Sequence, residues 1–154
     1  MVATTEKPRA ERRRSLAMID KLVGSRTEML TLFTELASMK PYTGSNAADA
    51  AEVLQEFCQS LVDYAANAHF QLYRYFAENN ERRKEIYDVA EGIYPSVLEI
   101  TNLILDFNDK YDCGDHCSQL TSLEDDLSRL GEVLADRIEL EDKLIGAFGY
   151  RFDG

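Results

Sequence analysis

Residues 86–107, IYDVAEGIYPSVLEITNLILDF, decide the fold of this chain. Their apolar side chains recur at alternating intervals of four and three residues, the spacing of an amphipathic helix that buries one stripe. The stripe consists of Ile86, Ala90, Ile93, Val97, Ile100, Ile104 and Phe107. This spacing predicts a helix over residues 81–109, and Pro95 within it predicts a kink or short break near residues 91–94.

Three further segments show a comparable helical periodicity, which predicts helices over residues 15–39, 47–77 and 119–148. Pro41 and Gly44 interrupt the pattern between the first two segments. No segment shows the alternation of a strand. Because short connections between long helices favour antiparallel neighbours, we expect an all-α, up-down antiparallel four-helix bundle, a single domain over residues 15–149.

Length and composition suit one globular domain. A chain of 154 residues with 45% hydrophobic content is long enough to bury one core. The sequence has neither a secretory signal nor an apolar run long enough to span a bilayer, so we expect a cytoplasmic protein without membrane contact. Its three cysteines, an odd number, argue against a disulfide-stapled secreted domain.

Charge is distributed unevenly along the chain, whose net value is −11. Residues 1–14 carry five basic and two acidic side chains, and we expect them to form a mobile, basic N-terminal segment. The remainder is strongly acidic and would repel a phosphate backbone. We therefore expect no direct binding to nucleic acid, and attraction to basic proteins instead.

The aromatic residue Phe70 departs from the apolar stripe of the second predicted helix. At about 100° per residue it lies about 180° from Leu61, which belongs to that stripe. The polar residues on its side of the helix are Gln59, Asp63, Asn67 and Arg74. An aromatic ring in a hydrated sector is typical of an anchor for a protein partner, although single exposed apolar residues are also common.

Two charged residues, Arg26 and Glu141, fall on apolar stripes, where burial is costly unless they are paired. Counting from the helix starts puts His69 level with Glu141, which allows a charge-assisted hydrogen bond between them. Arg137 precedes Glu141 by one helical turn and is its nearer cation. The same count puts Arg26 about ten residues away, without an assigned partner. We expect a buried polar network that fixes register rather than a catalytic site.

Cys113, His116 and Cys117 form the only other cluster of ligand-type side chains. They supply three candidate zinc ligands, whereas a closed tetrahedral site needs four. A metal-binding or redox-sensing protein that uses this loop is therefore one alternative interpretation. The chain also lacks the Glu-x-x-His pairs of di-iron bundles, a nucleophile elbow and a phosphate-binding loop. We expect neither enzymatic activity nor a cofactor.

Two blocks of sequence resemble the Rsd/AlgQ family of bacterial anti-sigma factors. The first is FCQSLVDY at residues 57–64, followed by His69 and Phe70. The second combines LGE at residues 130–132 with LEDKLI at residues 140–145. The resemblance implies a helical protein that binds region 4 of the primary sigma factor through its basic helix-turn-helix. Such binding would withhold the sigma factor from core RNA polymerase and from the −35 promoter element.

By this resemblance, Asp63 and Phe70 are the main contacts to the sigma factor, within a complex that holds this chain as a monomer. Their predicted face adds Gln59, Asn67 and Arg74 to the candidate site. The chain departs from the usual family pattern at Leu22, Ala66, Asn67, Ala68 and Arg74. An adaptor that regulates a signalling enzyme through the same acidic face is a further alternative.

Overall fold

The computed structural model describes residues 3–68, 84–111 and 120–147. Within these ranges the chain consists of helices and of the short segments at residues 39–46 and 120–122, and it contains no strand. The α-helices are α1 (Ala3–Ser38), α2 (Ala47–Asn67), α3 (Lys84–Tyr111) and α4 (Leu123–Ala147), and a 3-10 turn at Gly44–Asn46 precedes α2.

Side-chain contacts at two levels give the relative direction of α1 and α2. At the first level, the rings of Phe33 in α1 and Phe57 in α2 pack edge to face with centroids 5.9 Å apart. At the second level, Arg26 in α1 and Tyr64 in α2 both reach Glu141 of α4. Residue numbers therefore rise in α2 as they fall in α1, so the two helices are antiparallel.

The second pair of helices is related in the same way. Thr101 of α3 accepts a hydrogen bond from Arg137 of α4, at 2.8 Å. Further along α3, Tyr111 donates a hydrogen bond to Asp126 of α4. The ring of Phe107 in α3 packs against Phe57 of α2 with centroids 6.0 Å apart. These contacts confirm the predicted all-α, up-down antiparallel bundle.

The helix α3 runs without a break through Pro95, so no interruption separates residues 91–94 from the rest of the helix. Proline removes one backbone donor and thereby leaves the carbonyl of residue 91 without its helical partner. Both Pro95 and Glu91 are exposed, so water can solvate that carbonyl. The helix therefore continues because its proline lies on the solvent side.

The N-terminal limit of α1 differs most from the sequence prediction, because the helix begins at Ala3 rather than near residue 15. Residues 9–14, RAERRR, consist of strong helix formers and contain no residue that would terminate a helix. The mobility expected of residues 1–14 stays a prediction. The predicted end of the second helix, at residue 77, lies outside the described residues.

The core combines aliphatic and aromatic side chains from all four helices. The connection between α1 and α2 contributes Tyr42, which is buried and donates a hydrogen bond to the carbonyl of Leu36 at 2.9 Å. In α4, a Cβ added at Gly131 would lie 3.0 Å from the ring of Phe33, so a glycine permits this close approach. None of the described helices combines the length and the hydropathy that a membrane span requires.

Candidate protein-binding site

The candidate site begins on the outer side of α2. Gln59 and Asp63 are one helical turn apart and exposed, and Asn67 is half-buried one turn further on. The intervening residues Leu61 and Tyr64 point inward and are fully buried, which orients the row toward solvent. The other predicted members of the site, Phe70 and Arg74, lie outside the described residues.

A cleft of about 400 Å³ separates this row from α3. Its lining residues are Gln55, Glu56, Cys58, Gln59, Val62 and Asp63 from α2 and Asn108 from α3. The amide nitrogen of Gln55 is buried there and has no hydrogen-bond partner among the described residues. A buried donor without a partner gains free energy when a ligand supplies an acceptor, so the cleft favours a polar group from outside.

The charges around the cleft have one sign. The described part of α2 contains four acidic residues and no lysine or arginine. In α3, residues 85–109 contain six acidic residues and no lysine or arginine. Fields of like sign add, so this side of the bundle has a negative potential that attracts a basic partner.

A buried charge cluster lies beneath the candidate face and is centred on the fully buried carboxylate of Glu141. Tyr64 donates a hydrogen bond to it at 2.6 Å, and Arg137 donates another at 3.2 Å. The guanidinium of Arg26 lies 3.5 Å from the same carboxylate and donates a hydrogen bond to Asp142 at 3.0 Å. Burial raises the pKa of Glu141, and this effect outweighs the opposing influence of the two arginines and the tyrosine.

Arg137 extends the cluster to α3, so that all four helices contribute to it. Its guanidinium lies 5.2 Å from the centre of the Tyr64 ring and donates a hydrogen bond to Thr101 of α3. A planar guanidinium suits this position because it stacks on a ring and donates in several directions at once. Through this one side chain α2, α3 and α4 are held at a common level.

The expectation that Arg26 lies about ten residues from Glu141 is wrong. That distance was counted in residues from the predicted helix starts, which assumes that neighbouring helices end at the same height in the bundle. Residues 39–46 connect α1 to α2 and allow the ends of these two helices to be offset. An arginine side chain also covers several ångströms along the bundle axis. The predicted pairing of His69 with Glu141 lies outside the described residues.

Sequence reasoning missed Tyr64, which provides the shortest hydrogen bond to Glu141. A signal was present, because Tyr64 follows Leu61 on the buried stripe and a buried tyrosine hydroxyl usually requires a partner. The partner of this hydroxyl depends on how neighbouring helices pack, and the periodicity of a single helix gives no information about that packing.

A second polar cluster joins α3 to α4 near the other end of these helices. Asp126 accepts hydrogen bonds from Lys110, at 2.6 Å, and from Tyr111. Burial alone would raise the pKa of Asp126, but the hydrogen bonds from these two donors lower it below its ordinary value. Over the described ranges, no group of His, Cys, Asp or Glu side chains is arranged to hold a metal ion. The predicted candidates Cys113, His116 and Cys117 lie outside those ranges.

Comparison with known proteins identifies similar chains along most of the sequence. A family model described as "Regulator of RNA polymerase sigma(70) subunit, Rsd/AlgQ" matches residues 1–148. A relative named Regulator of sigma D from Yersinia enterocolitica (serotype O:8 / biotype 1B) is 30% identical over 133 residues, which are 83% of this chain and 78% of the relative. The protein of the same name from Enterobacter sp. (strain 638) is 33% identical over 130 residues, with 83% of this chain and 78% of the relative covered. No solved structure matches the chain.

Proposed function

Because this chain belongs to the Rsd/AlgQ family of regulators of the RNA polymerase sigma(70) subunit, we propose that it binds region 4 of the primary sigma factor. Binding would withhold the sigma factor from core polymerase and from the −35 promoter element, without any catalytic step. The protein would act in the cytoplasm, as one copy of the chain per sigma factor.

The observation that carries this proposal is the exposed row of Gln59 and Asp63 beside a cleft between α2 and α3. Neither the described part of α2 nor residues 85–109 of α3 contain lysine or arginine. A helix-turn-helix that reads DNA is basic because it contacts phosphates. The acidic face and the promoter DNA both carry negative charge, so this chain and the promoter would compete for the same basic surface of region 4.

The proposed face also includes Phe70, Asn67 and Arg74, which share the helix sector of Gln59 and Asp63 in the sequence pattern. An aromatic ring among polar side chains would supply the desolvated centre of the contact, and the acidic residues would orient the partner. Arg74 would pair with an acidic residue of the sigma factor or lie at the rim of the contact.

Isothermal titration of the purified chain with isolated region 4 tests the proposal. We expect saturable binding that weakens as salt rises, because exposed charges are screened. The Asp63→Ala variant should lose about 1 kcal/mol of binding free energy. A matched control, Glu132→Ala, removes the same charge from an exposed position of α4 and should bind like the wild type.

Two results would contradict the proposal. If the wild-type chain does not bind region 4, the assigned partner is wrong. If Asp63→Ala and Glu132→Ala weaken binding equally, overall charge rather than the face on α2 attracts the sigma factor.

A further inference from the structure

Three leucines on α3 are unusually exposed for large apolar side chains. The exposed fractions are 37% for Leu98, 46% for Leu103 and 42% for Leu105, and these are the exposed large hydrophobic residues of the described chain. Single exposed leucines are common, but leucines that share one side of a helix offer apolar area to a partner. Their positions around α3 show which side such a partner would occupy.

Leu98 and Leu105 lie on one side of α3, and Leu103 lies on another. At about 100° per residue, Leu98 and Leu105 are about 20° apart, and Leu105 is about 60° from Asn108, which lines the cleft toward α2. Leu103 is about 140° from Leu98. It lines a separate hollow with residues of α4, among them Arg129 and Val133. Leu98 and Leu105 therefore lie toward the side of α3 that carries Asn108, outside the lining of the cleft itself, and Leu103 lies on the side toward α4.

The level of the two leucines along the bundle matches that of the acidic row on α2. Phe57 packs against Phe107 across the α2–α3 boundary, and the cluster around Glu141 links Tyr64 with Thr101. In these antiparallel helices Asp63 is thus opposite residue 101, between the levels of Leu98 and Leu105. The acidic row on α2 and the two leucines on α3 therefore lie at similar levels on either side of the boundary between these helices.

We propose that Leu98 and Leu105 form the apolar half of the sigma-binding surface, where they pack against apolar side chains of a basic helix of region 4 that crosses the cleft. This inference rests on the proposed function and extends its contact surface from α2 to α3. The occupant follows from charge, because Glu91 and Asp109 lie within about 40° of both leucines and no lysine or arginine occurs between residues 85 and 109. A second copy of this acidic chain or an anionic lipid surface would be repelled.

The test compares Leu98→Gln/Leu105→Gln with the single control Leu103→Gln, which changes the most exposed of the three leucines on the other side of the same helix. In titrations with isolated region 4, we expect the double variant to bind about tenfold more weakly or worse. The control should bind within about twofold of the wild type. Thermal melts of all three chains should agree, because the replaced side chains are exposed.

A measurement on the unmodified chain makes the test independent of the variants. In a methyl-labelled sample, addition of region 4 should shift the methyl resonances of Leu98 and Leu105 and leave those of Leu103 in place. Wild-type binding with unchanged Leu98 and Leu105 signals, or a double variant that binds like the wild type, would overturn this inference alone. A wild type that does not bind region 4 would overturn the proposed function and this inference together. A change of oligomeric state in the isolated double variant would assign the leucines to self-association and refute the inference.

Discussion

The buried charge cluster around Glu141 and the acidic face along α2 and α3 use the same residue types in opposite ways. In the cluster, buried charges of both signs are paired: Arg137 donates a hydrogen bond to Glu141 within α4, and Arg26 of α1 forms an ion pair with the same carboxylate. Tyr64 of α2 donates a further hydrogen bond to it across the helix boundary. On the face, charges of one sign remain at the surface beside exposed leucines. The buried pairs hold the helices at a fixed level relative to one another. The surface charges are not neutralised and leave a negative potential that attracts a basic partner.

This difference implies that the two regions can be separated by experiment. Removing a charge from the cluster should lower the free energy of unfolding and leave the affinity of the folded chain unchanged. Removing a side chain from the face should lower the affinity for region 4 and leave the free energy of unfolding unchanged.

The largest effect is expected from Glu141→Ala. It leaves Arg137 buried without its carboxylate, and loss of one partner from a buried pair typically costs about 3–5 kcal/mol. Urea denaturation at neutral pH measures the change in the free energy of unfolding. Asp142→Ala is the matched control, because that carboxylate is partly exposed and its loss should cost about 1 kcal/mol or less. A Glu141→Ala curve that coincides with the wild type would show that the cluster does not stabilise the bundle.

The next effect concerns the face. Phe70→Ala should weaken binding to region 4 by about 2 kcal/mol or more, as expected for an aromatic anchor at the centre of a contact. Titration measures the affinity, and a thermal melt that matches the wild type would show that the fold is intact. Full affinity in a folded Phe70→Ala chain would remove this residue from the proposed site.

The smallest effect is expected at the partly exposed cluster of Lys110, Tyr111 and Asp126. Because the pKa of Asp126 is lowered in the folded chain, its ionisation contributes stability above the ordinary value of 3.8. That contribution is lost as pH falls through the lowered pKa. Asp126→Asn should therefore cost about 1 kcal/mol or less near pH 7 and less at about pH 3, measured by urea denaturation. An equal cost at both pH values would contradict the assigned ionisation.

The family, the helices and their antiparallel order were predictable from the sequence, because the apolar periodicity and the two motif blocks are local patterns. The contact between Arg137 and Glu141 was predictable too, because residues four apart share one helix face. The reach of Arg26 and the roles of Tyr64 and Thr101 were not, because they depend on how far neighbouring helices are offset.

The candidate face likewise has one part that the sequence predicted and another part that only the structure revealed. Asp63 and Gln59 were predicted from the pattern of α2 and its family resemblance. The cleft and the leucines of α3 required knowledge of which helix lies beside α2. Leu98 and Leu105 do leave a sequence signal, since both fall off the apolar stripe of α3, just as Phe70 departs from the apolar pattern of the second predicted helix.

Gly131 has a consequence that reaches beyond α4. The ring of Phe33 occupies the space that a side chain at this position would fill, and it packs against Phe57, which in turn packs against Phe107. A row of aromatic rings thus crosses the bundle from α1 to α3, and a side chain at position 131 would press on the first ring of this row.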